Sequence, residues 1–583
     1  GVAVKKQSSS MLMGLTLYST SDAIDDLFLS NYATNYITEP LGRIPGVAEA
    51  VVMGEKTYAM RIWLRPDKMS SLGLTVTDVQ SSLREQNVIV AAGKLGGSPV
   101  PVNQQFEYSI QAQGRLKNAD EFGQTIVRSS RDGGIIRLDD IARIELASEN
   151  YSISAKRNSE DTAFVVIYQL PDANATEVAE LVKAEMALLS ERFPDGLTYS
   201  IPFDTTKFIS RSVDEVILTL FQAVALVVLV VFVFLQNFRA TLIPAIAIPV
   251  SLIGTFIFMN LMGYSINTIT LFGLVLAIGI VVDDAIIVIE NVERLMKEQD
   301  LPIEVAVEKA MGEVTGPIIA TTLVLLAVFV PVAFMPGITG ELYKQFSVTI
   351  SFAVLISSLN ALTLSPALCT VLLSREKSAS VGWLKPVELG IRQLTKSYGV
   401  LIGFLLQRRY MTGLFATVIF GFTGYLATVV PTGFVPAEDQ GFLFVDVQLP
   451  DAASTNRTEV VMDKISHIIS ADPAVDEVIT VAGSSLLAGT ASNNGLGIII
   501  LKDWEDRVDA ELSLSHVIPR LTNALWKLPD AQIMVFNPAP IPGLGMSSGF
   551  EFRLQDTEGR EASLMAQVMN GLIYEANQHP KLN

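Results

Sequence analysis

Two adjacent carboxylates, Asp283 and Asp284, sit inside Leu271–Arg294 (LFGLVLAIGIVVDDAIIVIENVER), an apolar stretch long enough to cross a bilayer as a helix. Placing one ionisable side chain in hydrocarbon costs roughly 2.5–3.5 kcal/mol on insertion scales. Desolvation and mutual repulsion both penalise the doubly charged pair, so such a site can take up and release a proton. The chemistry expected here is proton handling in a transporter. The alternative is a pair of acids held protonated and hydrogen-bonded for structure alone.

Other chemistry is poorly served. Adjacent residues on one helix point about 100° apart, so the pair cannot form a facing aspartyl-protease dyad, and no other span carries an Asp. No G-x-x-x-x-G-K-[ST] or G-x-S-x-G motif occurs. His467, His516 and His579 lack metal-ligand spacing with one another or with the single cysteine, Cys369. The expected energy source is therefore an ion gradient, with no cofactor. A net charge of −18 argues against nucleic acid, which requires basic surface.

The elements that position the acid pair follow from hydropathy. Half of the 583 residues are hydrophobic and mean hydropathy is +0.41, yet both ends carry ordinary polar patterning. The fold class expected is a multi-spanning α-helical membrane bundle with α+β soluble subdomains at both ends. Six runs reach membrane length: Val216–Gln236, Leu242–Met262, Ile269–Val292, Pro317–Met335, Phe346–Leu373 and Met411–Val430. The connections after the first, third and fifth hold Arg239, Arg294, Lys297, Lys309, Arg375, Lys377, Lys385, Arg392, Lys396, Arg408 and Arg409. The opposite connections offer only Lys344, which puts both soluble parts on the extracytoplasmic side. Val387–Leu394 has the amphipathic spacing of a helix on the cytoplasmic membrane surface. No span carries a central Lys or Arg, so a basic partner for the acids is expected on a helix outside this chain. Both ends read as cut, as though the chain were an internal piece of a longer protein.

Before the spans, Ser9–Ser19 and Ala48–Leu64 alternate like strands, while Asp22–Leu41, Leu72–Gln86 and Thr176–Phe193 are spaced like helices. The β-α-β order predicts ferredoxin-like subdomains. The Gly/Pro-rich run Ala91–Val102 reads either as a surface hairpin or as an arm into a neighbouring subunit. After the spans, strands are expected at Phe442–Leu449, Ile498–Leu501 and Gln532–Phe536, with helices at Asn456–Ile469 and Leu514–Lys527. From Phe550 onward the pattern is strand then helix.

Four segments occur in a characteristic order: Phe234–Phe256 (FLQNFRATLIPAIAIPVSLIGTF), Ser265–Arg294, Thr363–Cys369 (TLSPALC) and Gly433–Gly441 (GFVPAEDQG). Together they resemble the resistance-nodulation-division (RND) transporters, specifically the hydrophobe/amphiphile multidrug efflux pumps of Gram-negative inner membranes. The resemblance implies a proton antiporter working as a homotrimer, with a periplasmic adaptor protein and an outer-membrane channel. Small amphiphilic substrates would enter from the periplasm or the outer leaflet of the inner membrane. It further implies the end of a first porter subdomain at 1–9, a second at 10–55 and 148–205, and a docking subdomain with the arm at 56–147. Transmembrane helices two to six of the whole protein would fill 211–373, a cytoplasmic connection 374–409 and helix seven 410–432. A third porter subdomain would span 437–544, and the start of a fourth 545–583.

In such pumps the acids matched by Asp283 and Asp284 are the proton relay, paired with a Lys from the second half of the bundle. By the same resemblance Met11, Met53, Ile153, Phe203, Phe444 and Ile498 would line the substrate pocket. A glycine-containing switch loop, Gly483–Asn494, would carry Gly483, Ser484, Leu487 and Gly489. The chain departs from the usual pattern in having Met or Ile at several positions that are commonly Phe, and Ser484 and Leu487 near where aromatics are usual. Met moulds itself to irregular ligands; the alternative for all six positions is ordinary core. Two further readings stay open: soft-metal efflux on the same fold, through thioethers such as Met11, Met13 and Met53, and a lipid- or sterol-binding relative.

Overall fold

The computed structural model describes residues 5–6, 8, 10–21, 24–89, 92–99, 101, 103–110, 114–129, 133–373, 385–430, 438–540, 554–559 and 561–579. The chain divides into two compact units. One is Gly1–Thr206 with Val435–Asn583, the other Lys207–Phe434.

The first sheet is antiparallel, in the spatial order β8-β1-β7-β2, built from β1 (Met13–Ser19), β2 (Val47–Met53), β7 (Ala163–Gln169) and β8 (Leu197–Asp204). Helix α1 (Asp26–Tyr32) is capped by Asp25, whose carboxylate accepts from the Phe28 N–H at 2.8 Å. It continues through a π-turn, Ala33–Ile37, and a last turn, Thr38–Gly42. With α3 (Ala175–Ser190) it covers one sheet face, burying Leu15, Leu17, Val165 and Ile167 against Ile37, Leu41, Val182 and Met186. Each such side chain contributes about 1.5–3 kcal/mol by leaving water. The alternate residues, Phe164 and Val166, face the other way.

The alternation over Ala48–Leu64 resolves into two strands of different sheets. β2 ends at Met53, Gly54 turns with φ +72°, and β3 (Tyr58–Leu64) pairs instead with β4 (Ala142–Ser148). The helix expected from Leu72 starts only at Val76 (α2, Val76–Gln86), where Thr75 and Asp78 form a capping box. Gly73, at φ +62°, closes the short helix before it. In the glycine-rich run, Lys94–Leu95 pairs with Tyr108–Ser109 in a two-residue ladder that is wholly exposed. Two short strands, β5 (Ser154–Arg157) and β6 (Glu160–Asp161), precede β7.

In the second unit are α4 (Thr205–Leu235, whose first turn holds the boundary), α5 (Phe238–Leu261), α6 (Thr268–Glu298), α7 (Ile303–Val332), α8 (Gly337–Leu362), α9 (Leu364–Leu372), α10 (Lys385–Gln407) and α11 (Arg409–Val429). Among the described residues, six helices are long and apolar enough to cross a membrane, forming a helical membrane bundle. The run Phe346–Leu373, expected as one span, breaks at Thr363 between α8 and α9. Pro366 lacks an N–H, and its ring meets the carbonyl four residues back, which ends the α8 ladder there. The amphipathic segment Val387–Leu394 lies in the first half of α10. Arg375 and Lys377 fall outside the described residues.

The C-terminal part of the first unit repeats the strand order of the first sheet. β9 (Phe442–Gln448), β10 (Val475–Ser485), β11 (Gly489–Leu501) and β12 (Gln532–Phe536) run in the order β10-β11-β9-β12, and β5 and β6 extend the sheet beyond β10. Helices α12 (Thr455–Ser470) and α13 (Leu514–Leu525) cover a core that includes Leu443, Val445, Ile465, Val478, Ile499 and Leu521. Strand β10 was not anticipated. Together β10 and β11 also correct the reading of Gly483–Asn494 as a loop, since only Leu486–Ala488 turn between two paired strands. Gly, Ser and Asn carry little strand signal, but backbone pairing does not depend on their side chains. Beyond Phe536, a helix occupies Ala562–Gln578, and 550–553, where a strand was expected to begin, lie outside the described residues.

Candidate functional site

The acid pair is carried on α6, whose start is set by Asn267, a cap accepting from the Thr270 N–H at 3.0 Å. Asp284 is buried at 9% exposure, whereas Asp283 is exposed. Packing separates the two because neighbouring helical residues diverge by about 100°. On α8, Ser357 Oγ lies 3.1 Å from Asp284 Oδ2 and 2.9 Å from the Val281 carbonyl oxygen. Near the same level of α8, the buried Asn360 donates from Nδ2 to Ser251 Oγ of α5 at 2.8 Å. Ser357 was missed as a neighbour of Asp284, as was the Asn360–Ser251 pair further along α8. Their signal was present as polar residues inside apolar runs, where an unsatisfied group costs several kcal/mol. Among the described residues neither acid forms an ion pair. The basic side chains at the end of α6 pair instead with Glu293, Glu298 and Glu313.

In the first unit, the six apolar candidates converge. Phe203, Phe444 and Ile498 are buried in one cluster with Phe164, Phe442 and Phe536, and Met11, Met53 and Ile153 pack against it half-buried. The rings of Phe203 and Phe442 meet edge to face at 4.8 Å, Phe442 and Phe444 at 5.4 Å, and Phe444 lies 5.8 Å from Phe536. Alternation along β9 could have found Phe442, which shares a face with Phe444. Met13 does not join this cluster; it is buried on the opposite face of the first sheet, so the three methionines do not converge. Among the described residues no group of three His, Cys, Asp or Glu could hold a metal ion.

The hairpin tip stands beside the cluster, with Leu486 packed on it. Gly483 has φ +89°, and a Cβ there would lie 2.0 Å from the Ser152 carbonyl oxygen, so only glycine fits. Ser484 is buried, Leu487 half-buried in the turn, and Gly489 opens β11 at φ +78°.

The profile of the AcrB/AcrD/AcrF family matches residues 1–583. The chain belongs to that family. The AcrB/AcrD/AcrF assignment agrees with the kinship expected from the four ordered motifs. The chain is 41% identical over 590 residues to the multidrug export protein AcrF of Escherichia coli K12, covering 100% of this chain and 56% of AcrF. It is 39% identical to the multidrug resistance protein MdtF of the same strain, again over 100% of this chain and 56% of the relative. To the solvent-resistant pump membrane transporter SrpB of Pseudomonas putida it is 37% identical, with the same coverage. The chain thus spans little more than half the length of these relatives.

Proposed function

We propose that this chain is part of a proton-driven antiporter that exports amphiphilic drugs and other toxic compounds across a Gram-negative envelope. The single observation that carries this reading is Asp284, buried in a membrane-length helix beside the Ser357 hydroxyl, with Asp283 on the adjacent face. Each proton entering down the membrane potential supplies about 2.3 kcal/mol per 100 mV. Asp283 and Asp284 would be the proton relay, and the exposed side of α6 that carries Asp283 suits a cationic side chain from a helix beyond this chain. Protonation would remove the charge that holds that cation and let the helices shift.

The two β-α-β-β-α-β sheets are read as ferredoxin-like porter subdomains on the periplasmic side of the inner membrane, in keeping with the Lys/Arg bias of the connections. Met11, Met53, Ile153, Phe203, Phe444 and Ile498 would contact substrate, and the β10–β11 tip with Gly483, Ser484, Leu487 and Gly489 would act as the switch. A homotrimer with a periplasmic adaptor and an outer-membrane channel completes the reading. The names of AcrF as a multidrug export protein, MdtF as a multidrug resistance protein and SrpB as a solvent-resistant pump membrane transporter support it.

The test is proton flux in proteoliposomes containing the full-length transporter. Asp283→Asn and Asp284→Asn should each abolish drug-dependent flux while the protein stays folded and inserted. A fully active double variant would overturn the proposal.

A further inference from the structure

On β9, Phe442, Phe444 and Asp446 project from the same face, because Leu443, Val445 and Val447 fill the core on the other. Asp446 therefore stands in a row of apolar side chains. Its register partners are Leu496 on β11 and Met534 on β12, and Leu496 pairs in turn with Val481 on β10. Leu496 and Val481 are buried in the aromatic cluster, whereas Met534 is exposed, so Asp446 marks the edge where the cluster meets solvent.

A carboxylate is an unexpected occupant of such a row. It is half-buried and, among the described residues, has no cationic partner. The basic residues on β5, which β10 and β11 separate from β9 in the same sheet, are engaged elsewhere: Lys156 with Asp463 at 2.8 Å, and Arg157 with Glu477. The Ser485 hydroxyl donates to Asp446 Oδ1 at 2.5 Å and accepts from the N–H groups of Leu487 and Ala488 at 3.0 and 2.9 Å. Asp446 is thereby held at the base of the hairpin tip. Burial raises its pKa, with the Ser485 hydroxyl and the Leu487 amide opposing. A half-desolvated acid that lacks a counter-charge gains most from a cation brought by a ligand.

We propose that Asp446 is a charge-selecting subsite for cationic amphiphiles, taking the cationic head while the apolar body lies over Met534 at the exposed edge of the aromatic cluster. The inference rests on the reading of this face as the substrate-contacting surface. Ser485 is the positioning residue, since it orients the carboxylate and ties it to the tip.

The experiment compares two probes of similar bulk, cationic tetraphenylphosphonium and neutral triphenylphosphine oxide, on the purified full-length transporter and in cells depleted of other pumps. Asp446→Asn keeps an acceptor for Ser485 but removes the charge. It should weaken tetraphenylphosphonium binding and export by about tenfold or more while leaving the neutral probe unchanged. Asp446→Glu should restore the preference in part. Equal loss for both probes would mean that Asp446 only braces the hairpin, and no loss for either would mean that it does not select charge; both overturn the proposal. A wild-type protein that handles neither probe would overturn the underlying reading of the face, and the subsite with it.

Discussion

Ser357 serves two acceptors on α6 with one hydroxyl proton: the Asp284 carboxylate at 3.1 Å and the Val281 carbonyl at 2.9 Å. It can donate to only one at a time, so its orientation follows the charge on Asp284. An ionised carboxylate draws the proton, and a protonated one releases it to the backbone. If Asp284 is the proton relay proposed above, the contact between α6 and α8 would have two arrangements, as coupling between a proton site and a helix requires.

Ser357→Ala should slow drug-coupled proton flux about tenfold to 150-fold, the value of one hydrogen bond to a charged group at about 1.5–3 kcal/mol. Ser357→Thr keeps the hydroxyl and should stay near wild type. Flux measured in proteoliposomes at equal protein loading decides between them, and an Ala variant at the wild-type rate would remove Ser357 from the mechanism.

At the hairpin, Gly483→Ala must push a Cβ against the Ser152 carbonyl oxygen and hold a positive φ. The expected loss is about 2–3 kcal/mol of stability, combining left-handed strain with the collision. A thermal-shift assay on the detergent-solubilised transporter reads it, with Gly489→Ala as the milder comparison because a Cβ there meets open space.

Phe444 sits between Phe442 and Phe536 in the row of rings. Phe444→Ala should cost about 3–4 kcal/mol if the cluster is only core. If the cluster meets substrate, resistance to large aromatic compounds should fall more than resistance to small ones, at matched expression. Drug-susceptibility profiles of Phe444→Ala and Phe444→Leu separate the two contributions.

Asp472, after α12, accepts a bidentate pair from Arg520 of α13 at 2.7 and 2.8 Å and a third bond from the Ala474 N–H at 3.0 Å. Burial by itself would raise its pKa, but Arg520 and the amide more than offset this and hold it below the usual carboxylate range. A lowered folded-state pKa gives stability that is present above the unfolded value of about 3.9 and is lost as pH falls through the folded value. Arg520→Ala should therefore destabilise by about 1.5–3 kcal/mol at pH 7, and the gap to wild type should close below about pH 4. Thermal melts across that range check both sign and window.

Much of the positioning was legible from residue order alone. Apolar runs of bilayer length mark helices because the backbone in lipid must satisfy its own hydrogen bonds, and a pair of acids in one of them is too costly to overlook. Pattern likewise placed Phe444 and Ile498 on strands, whereas their grouping with a pocket came from the family resemblance alone. The β10–β11 hairpin was illegible, because Gly483, Ser484 and Asn494 hold their places through backbone pairing that leaves no apolar pattern. The break at Thr363 was hidden within a continuous apolar run, although Pro366 was its cause.

What residue order determined by itself was which groups exist and roughly which element carries each. Only the tertiary structure decided that Asp284 is buried against Ser357 while Asp283 is not, and that Asp446 stands in an apolar row with no cationic partner among the described residues. The physical reason is that periodicity sets the angle between side chains on one element, whereas burial and pairing depend on which other element packs over that angle. That second choice is made by residues tens to hundreds of positions away.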